Sequence, residues 1–199
     1  MRRVVLMALL ALALPVVAFA SGNVDFANVG GTLTGTNGSL SLAGSTLIGV
    51  NNLNGLGLVT GNLGSVSFTT PVISDLQNGG TFGAGGTFVI TGNGTGGIPN
   101  GVIFSGTFTS GTWALVTLPD STHNYVLTGV LSGTLGSSFT TTGVTVQLTI
   151  NTGKGFFNGS TTLSSGDTSI VVPEPGTLGL LGTGLVGIAG LIRRRIKIG

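Results

Sequence analysis

The chain has 199 residues, no cysteine, 38 glycines and a low content of charged residues, 6%. Without cysteine, thiol catalysis and cysteine-based zinc or iron–sulfur sites are excluded. The formal net charge of +2 arises at the two ends of the chain, because residues 21–172 contain four aspartates and one lysine, a net of −3. Residues 21–172 therefore lack the cluster of basic residues that is typical of a nucleic-acid-binding protein, so we expect no nucleic-acid partner.

The first 20 residues have the features of a secretory signal peptide. Arg2 and Arg3 form a short positive region, and residues 4–17 form an apolar core. Ala18 and Ala20 occupy the −3 and −1 positions of a cleavage site after Ala20. Residues 1–20 are therefore predicted to be removed on export, and the general secretion route is favoured over the twin-arginine route.

Residues 21–171 are predicted to form one extracytoplasmic all-β domain. Short runs of alternating or β-branched residues recur, and six Asn-Gly dipeptides between or beside them suit the positive φ of tight turns. Turn signals every 8–12 residues or so are typical of a mostly antiparallel β-sandwich, with a β-helix or solenoid as the alternative. The predicted strands are 65–70, 87–91, 102–109, 112–118, 124–130, 144–150 and 169–172, with weaker candidates at 31–34, 39–42 and 46–50.

Alternation within these runs identifies the side chains expected in the core. Val146 and Leu148 share the apolar face of the run 144–150. Phe104 and Phe108 share a face of the run 102–109, and the glycine between them predicts a bulge or a close backbone approach. Trp113 is also expected in the core, in a run with two apolar faces that we expect to be a central strand.

Residues that could carry out catalysis are sparse. Asp120, Ser121 and His123 are the residue types of a catalytic triad, but no nucleophile elbow surrounds Ser121 and such close neighbours on a loop seldom align for proton transfer. His123 is interpreted as a turn histidine on the surface. The four aspartates of the body lie far apart in sequence, which disfavours the paired carboxylates of a glycoside hydrolase. The chain is therefore predicted not to be an enzyme.

Two places in the sequence supply several oxygen ligands of the kind that Ca²⁺ requires. They are Asp75 with Gln77 and Asn78, and Asp167 with Thr168. Turn and capping chemistry is the commoner use of such aspartates. No metal ion or other cofactor is predicted.

Residues 172–199 combine three consecutive features. A proline-flanked acidic motif comes first, and its prolines favour an extended chain. An uncharged apolar run, 176–192, is predicted to form a transmembrane helix, because it would reach about 25 Å along the helix axis. A basic cluster closes the chain and is expected to remain cytoplasmic. The motif is Val172, Pro173, Glu174 and Pro175, and the cluster is Arg193, Arg194, Arg195 and Lys197.

This order of features resembles the PEP-CTERM sorting signal of bacterial surface proteins, a tail type also associated in name with ice-binding proteins. The resemblance is confined to residues 172–199. It implies an exported precursor that is anchored in the membrane by its C-terminal helix, processed by an exosortase near Pro173–Pro175, and then located at the cell surface or in the extracellular matrix. It also implies an association with exopolysaccharide or biofilm.

The sequence thus predicts a surface-sorted structural or adhesion protein. Its expected partners are the membrane, an exosortase-like enzyme and extracellular polysaccharide. The alternative is a β module that binds a glycan or ice, and a hydrolase is less favoured because acids, bases and nucleophiles are scarce.

Overall fold

The computed structural model describes residues 22–136 and 139–172. The predicted signal peptide, the Pro173–Pro175 motif, the helix 176–192 and the basic cluster lie outside these residues. Within the described ranges the structure contains no helix with the length and hydrophobicity of a membrane span. Its strands are β1 (Gly22–Val29), β2 (Thr32–Thr36), β3 (Ser39–Asn51), β4 (Val59–Thr69), β5 (Gly79–Phe82), β6 (Gly85–Asn93), β7 (Asn100–Thr117), β8 (His123–Leu135), β9 (Phe139–Asn151), β10 (Ser160–Thr162) and β11 (Ser165–Val172), with short 3-10 turns at Leu53–Gly55 and Thr95–Gly97.

Eight of these strands form a closed ring. Their order is β1-β11-β9-β8-β7-β6-β4-β3, and β3 pairs again with β1. The ring alternates in strand direction, so the fold is a closed antiparallel β-barrel. The all-β prediction is confirmed, whereas the predicted β-sandwich and the alternative β-helix are wrong. Regular turn spacing suits a sandwich and a barrel equally, and only the β1–β3 and β1–β11 pairings distinguish them.

The strands bend enough for a single sheet to close on itself. The β7–β8 pairing has a register shift between Phe108 and Ser110, and the β8–β9 pairing has one between Leu131 and Ser132. Such bulges increase the local twist and curve the strand. Long strands with bulges therefore favour closure over two packed sheets.

The barrel has two distinguishable ends. At the end that we call the upper end lie the β2–β3 turn, residues 70–78, residues 118–122 and residues 152–159. At the opposite, lower end β1 begins, β11 ends, and the β3–β4 and β6–β7 connections lie. The short strands β2, β5 and β10 extend the sheet towards the upper end.

Phenylalanine rings fill the middle of the barrel, and glycines make room for them. The rings of Phe82 and Phe108 meet edge to face at 5.3 Å between centroids. A Cβ added to Gly111 or to Gly129 would clash with the Phe82 or the Phe108 ring, respectively. Large and small inward residues therefore complement each other, as a narrow barrel requires. The cluster consists of Phe68, Phe82, Phe88, Phe104 and Phe108.

The predicted core side chains are buried, which confirms that part of the sequence analysis. They are Phe104, Phe108, Trp113, Val146 and Leu148. The close backbone approach predicted at Gly106 is also present, because a Cβ there would lie 2.7 Å from the carbonyl oxygen of Ser132.

The run 112–118 was expected to be a central strand, and β7 is indeed paired on both sides, with β5 and β8, although only one face of the run is buried. Trp113 points into the barrel, but the alternate residue Val116 is 44% exposed. A closed barrel has its core on one side of the sheet only, so the outward side chains of β7 face solvent.

Candidate functional site

Strand β11 leads directly into the proline-flanked motif of the sequence. Its first five residues pair with β9, from Ser165 opposite Thr149 to Ser169 opposite Thr145. Its other side lies against β1. Ile170 is fully buried, whereas the next residue, Val171, is 49% exposed. The chain is therefore held in the sheet to within three residues of Pro173.

A side-chain hydrogen bond ties the last strand of the barrel to the first. The Ser169 hydroxyl donates to Oδ1 of Asp25 over 2.7 Å, across 144 residues of sequence. Burial of the Ile170 side chain adds about 1.5–3 kcal/mol of hydrophobic stabilisation to the same segment. Together these contacts hold the C-terminal strand in the seam that closes the barrel.

The seam also contains polar groups inside the barrel. Nδ2 of Asn28 donates to the Ser45 hydroxyl over 2.7 Å, and that hydroxyl donates to the carbonyl oxygen of Val29 over 3.1 Å. Within the described residues, Oδ1 of Asn28 and Oγ1 of Thr168 are buried without a hydrogen-bond partner. Because each such group costs about 1–3 kcal/mol, the seam is less stable than an apolar one would be. Asn28 and Ser45 were not predicted to lie inside the barrel. Asn28 alternates with the buried Val24 and Phe26, so its position could have been inferred, whereas the bulge before Ser45 interrupts the alternation in β3.

The N-terminal and C-terminal segments of the chain are both connected to the barrel at its lower end. β1 begins there with Gly22, and β11, which runs in the opposite direction along it, ends there with Val172. The predicted cleavage position at Ala20 and the proline-flanked motif are thus joined to the same end. The upper end carries neither connection.

At the upper end, His123 is buried at the start of β8 and is 8% exposed. Its Nδ1 lies 3.2 Å from the carbonyl oxygen of Gly155, and its ring stacks on Phe156 with 4.3 Å between centroids. The interpretation of His123 as a surface turn histidine is therefore wrong. The ring is covered because Gly155 and Phe156, in the loop 152–159, pack against it.

The three triad-type residues are not brought together. Asp120 and Ser121 lie in the exposed turn before β8, and Ser121 has a φ of 66°. Oδ1 of Asp120 accepts the backbone N–H of Thr122 over 3.0 Å. This hydrogen bond lowers the pKa of the Asp120 carboxyl group. The carboxylate stabilises its own turn, while His123 contacts a different loop.

Asp75 likewise stabilises the turn in which it lies. Its Oδ1 accepts the backbone N–H groups of Gln77 and Asn78 over 2.8 and 2.9 Å, and its Oδ2 accepts Nδ2 of Asn78 over 2.8 Å. The side-chain bond from Asn78 is the main reason that the pKa of Asp75 is lowered, and the two backbone bonds add to it. Both carboxylate oxygens are thus already used by the turn.

The second candidate calcium site is not assembled either. Asp167 points to solvent, whereas its neighbour Thr168 points into the barrel. Adjacent residues of a strand face opposite sides of the sheet, so these two cannot share an ion through their side chains. Among the described residues, no three His, Cys, Asp or Glu side chains come together as metal ligands.

An aromatic cluster fastens two loops over the upper end. Trp113 stacks on Tyr125 at 5.0 Å between centroids, and Phe157 packs edge-on against Trp113 at 5.8 Å. Nε1 of Trp113 donates to the carbonyl oxygen of Leu76 over 3.0 Å. The Tyr125 hydroxyl donates to the carbonyl oxygen of Gln77 over 2.6 Å and accepts the N–H of Phe157 over 3.0 Å. Trp113 is thus a structural residue that is buried under residues 70–78.

Tyr125 and Phe157 were not identified from the sequence. Tyr125 alternates with Leu127 in the run 124–130, so its inward position could have been inferred. Phe157 lies in a loop between β9 and β10, where the pattern gives no signal.

Comparison with known proteins identifies the C-terminal segment. Residues 171–195 match the family model of the PEP-CTERM protein-sorting motif, which confirms the resemblance. The motif indicates a secreted surface protein that an exosortase processes. No curated protein and no solved structure matches the chain. The match begins at Val171, so it includes the last two residues of β11.

Proposed function

We propose that this carrier of a PEP-CTERM sorting motif is a non-catalytic structural protein of the bacterial cell surface or extracellular matrix. It is exported by its signal peptide, held in the membrane by residues 176–192, and processed near Glu174 by an exosortase. The observation that carries the proposal is the match to the sorting motif at residues 171–195, which begins in the last strand of a folded barrel.

The contacts made by the aspartate and histidine side chains, residue types that often act in catalysis, support a structural role. Asp75 and Asp120 accept hydrogen bonds within their own turns, and His123 contacts Gly155 and Phe156. Each of these groups stabilises the upper end of the barrel. Asp75, Asp120 and His123 are therefore explained by the fold itself.

The outer surface favours extracellular polysaccharide as the partner. Strands β7, β8 and β9 contain no Asp, Glu, Lys or Arg. Facing residues on these strands form outward rows of hydroxyl and amide groups, with neighbouring side chains about 4.5–5.5 Å apart. One row consists of Thr112, Thr128, Gln147 and Asp167, all exposed, and another consists of Ser105, Thr134 and Thr140. Apart from Asp167, at the β11 end of the first row, such a surface can exchange hydrogen bonds with a neutral glycan without burying a charge.

The test compares the location of the mature protein in cells that make exopolysaccharide and in matched cells that do not. We expect the protein to co-sediment with the matrix only in the former. Replacement of Thr112 and Thr128 by valine should weaken this retention, because valine keeps the shape but removes the hydroxyl groups. Thr60→Val, at an exposed position of β4 outside the rows, is the matched control. An identical distribution in both strains would contradict the proposed partner.

A further inference from the structure

We propose that docking of strand β11 in the barrel controls how fast the sorting enzyme can process the tail, so that the enzyme acts on a chain whose last strand is not fully closed. The inference rests on the proposed function in one respect, namely that a membrane enzyme processes the tail. It is drawn from the overlap of the sorting motif, which begins at Val171, with β11, which ends at Val172.

An enzyme that cleaves or transfers a peptide commonly binds it as an extended strand, through the peptide's own N–H and C=O groups. In β11 these groups face β1 on one side and, from Ser165 to Ser169, β9 on the other. A residue cannot pair with the barrel and with an enzyme through the same groups. The backbone groups of β11 that pair with β1 are therefore available to an enzyme only when that part of the strand separates from β1.

The short connection adds a steric constraint. Three residues separate the buried Ile170 from Glu174, and a fully extended chain spans at most about 14 Å over the four steps between them. With Ile170 docked, the enzyme would have to reach Glu174 within that distance of the barrel's lower end. Release of the last few residues of β11 lengthens the accessible segment.

The end of β11 has fewer backbone pairing partners than its first five residues. Pairing with β9 ends at Ser169, so residues 170–172 continue beyond the β9 ladder. The neighbouring Thr168 hydroxyl is buried without a partner within the described residues. Chain segments with few paired backbone groups open at lower free energy than the core. Ile170 is the contact that opposes this opening, because its side chain is fully buried.

The order of events follows from chain connectivity. β11 is the last strand of the barrel, and its partner β1 is the first. While β11 is undocked, the motif is accessible; once Ser169 has bonded to Asp25 and Ile170 is buried, access requires fraying. Processing is therefore fastest before barrel closure is complete, and closure afterwards secures the new C-terminal end.

The experiment follows conversion of the full-length precursor to the processed form by pulse–chase in cells with the native sorting machinery. A flexible Gly/Ser spacer of about eight residues between Val172 and Pro173 separates motif and strand without changing the barrel. We expect processing on the order of tenfold faster, since only a small fraction of docked chains presents the motif. Ile170→Ala, without a spacer, should also accelerate processing, and adding the spacer to this variant should give little further gain.

Leu131→Ala is the matched control, because it removes an equally buried aliphatic side chain from β8, away from the seam. A similar acceleration by Leu131→Ala would show that general destabilisation, and not β11 docking, sets the rate, and would overturn the inference. An unchanged rate in the spacer variant would overturn it as well. If the unaltered precursor is never processed, the proposed function itself fails, an outcome distinct from processing that is insensitive to the spacer.

Discussion

The hydroxyl group of Tyr125 provides the sharpest test of how the upper end of the barrel is held together. It donates to the carbonyl oxygen of Gln77 over 2.6 Å and accepts the backbone N–H of Phe157 over 3.0 Å, with the ring fully buried. Tyr125→Phe removes both hydrogen bonds and creates no large cavity. Each lost bond costs about 0.5–1.5 kcal/mol, and the groups left unpaired raise the cost.

We therefore expect Tyr125→Phe to lower the free energy of unfolding by about 2–4 kcal/mol, or the melting temperature by roughly 5–15 °C. The assay is urea and thermal unfolding of the processed barrel, followed by circular dichroism and by Trp113 fluorescence. Thr128→Ser, at an exposed position of the same strand, is the control and should change stability by less than about 0.5 kcal/mol. An effect of Tyr125→Phe as small as that of the control would refute the assignment of Tyr125 as the link between the two upper loops.

Three further predictions concern the core, the acid response and the membrane tail. Trp113→Ala should cost about 3–5 kcal/mol because the ring is buried, and a loss below about 1 kcal/mol in denaturant unfolding would contradict that burial. Since hydrogen bonds lower the folded-state pKa of Asp75 below the ordinary value of 3.8, the stabilising effect of its carboxylate should be complete above that ordinary value and be lost as the pH falls through the lower folded pKa. NMR titration of the Asn78 amide tests this, and Asp75→Ala should abolish the transition. Replacement of Arg193–Arg195 by neutral residues should weaken membrane retention of the precursor, as measured by fractionation. Unchanged retention would show that the basic cluster is not a functional part of the sorting signal.

The strands could be predicted from the sequence more reliably than their assembly. Val146 and Leu148 alternate with polar residues in β9, so the pattern located both the strand and its inward face. Closure depends instead on pairing between β1 and β11, which brings Asp25 next to Ser169 across 144 residues. No local pattern encodes such a contact, and regular turn spacing favoured a sandwich just as well.

The candidate sites show the same difference between local sequence features, which could be predicted, and long-range contacts, which could not. The sorting motif was recognised because its residues are contiguous, and the family match at 171–195 confirmed it. The burial of His123 could not be predicted, because Phe156 comes from a loop more than thirty residues later in the chain, between β9 and β10. The overlap between β11 and the motif likewise became visible only when the end of the strand was known.

The most direct test of the account is the mass of the protein recovered from the cell surface or matrix of cells with the native sorting machinery. We expect a mature form that lacks residues 1–20 and the basic cluster Arg193–Lys197, whereas Glu174→Ala should accumulate as a membrane-associated form that keeps that cluster. A surface-located protein that retains Arg193–Lys197, or a Glu174→Ala variant processed as efficiently as the unaltered chain, would contradict the role assigned to the sorting motif.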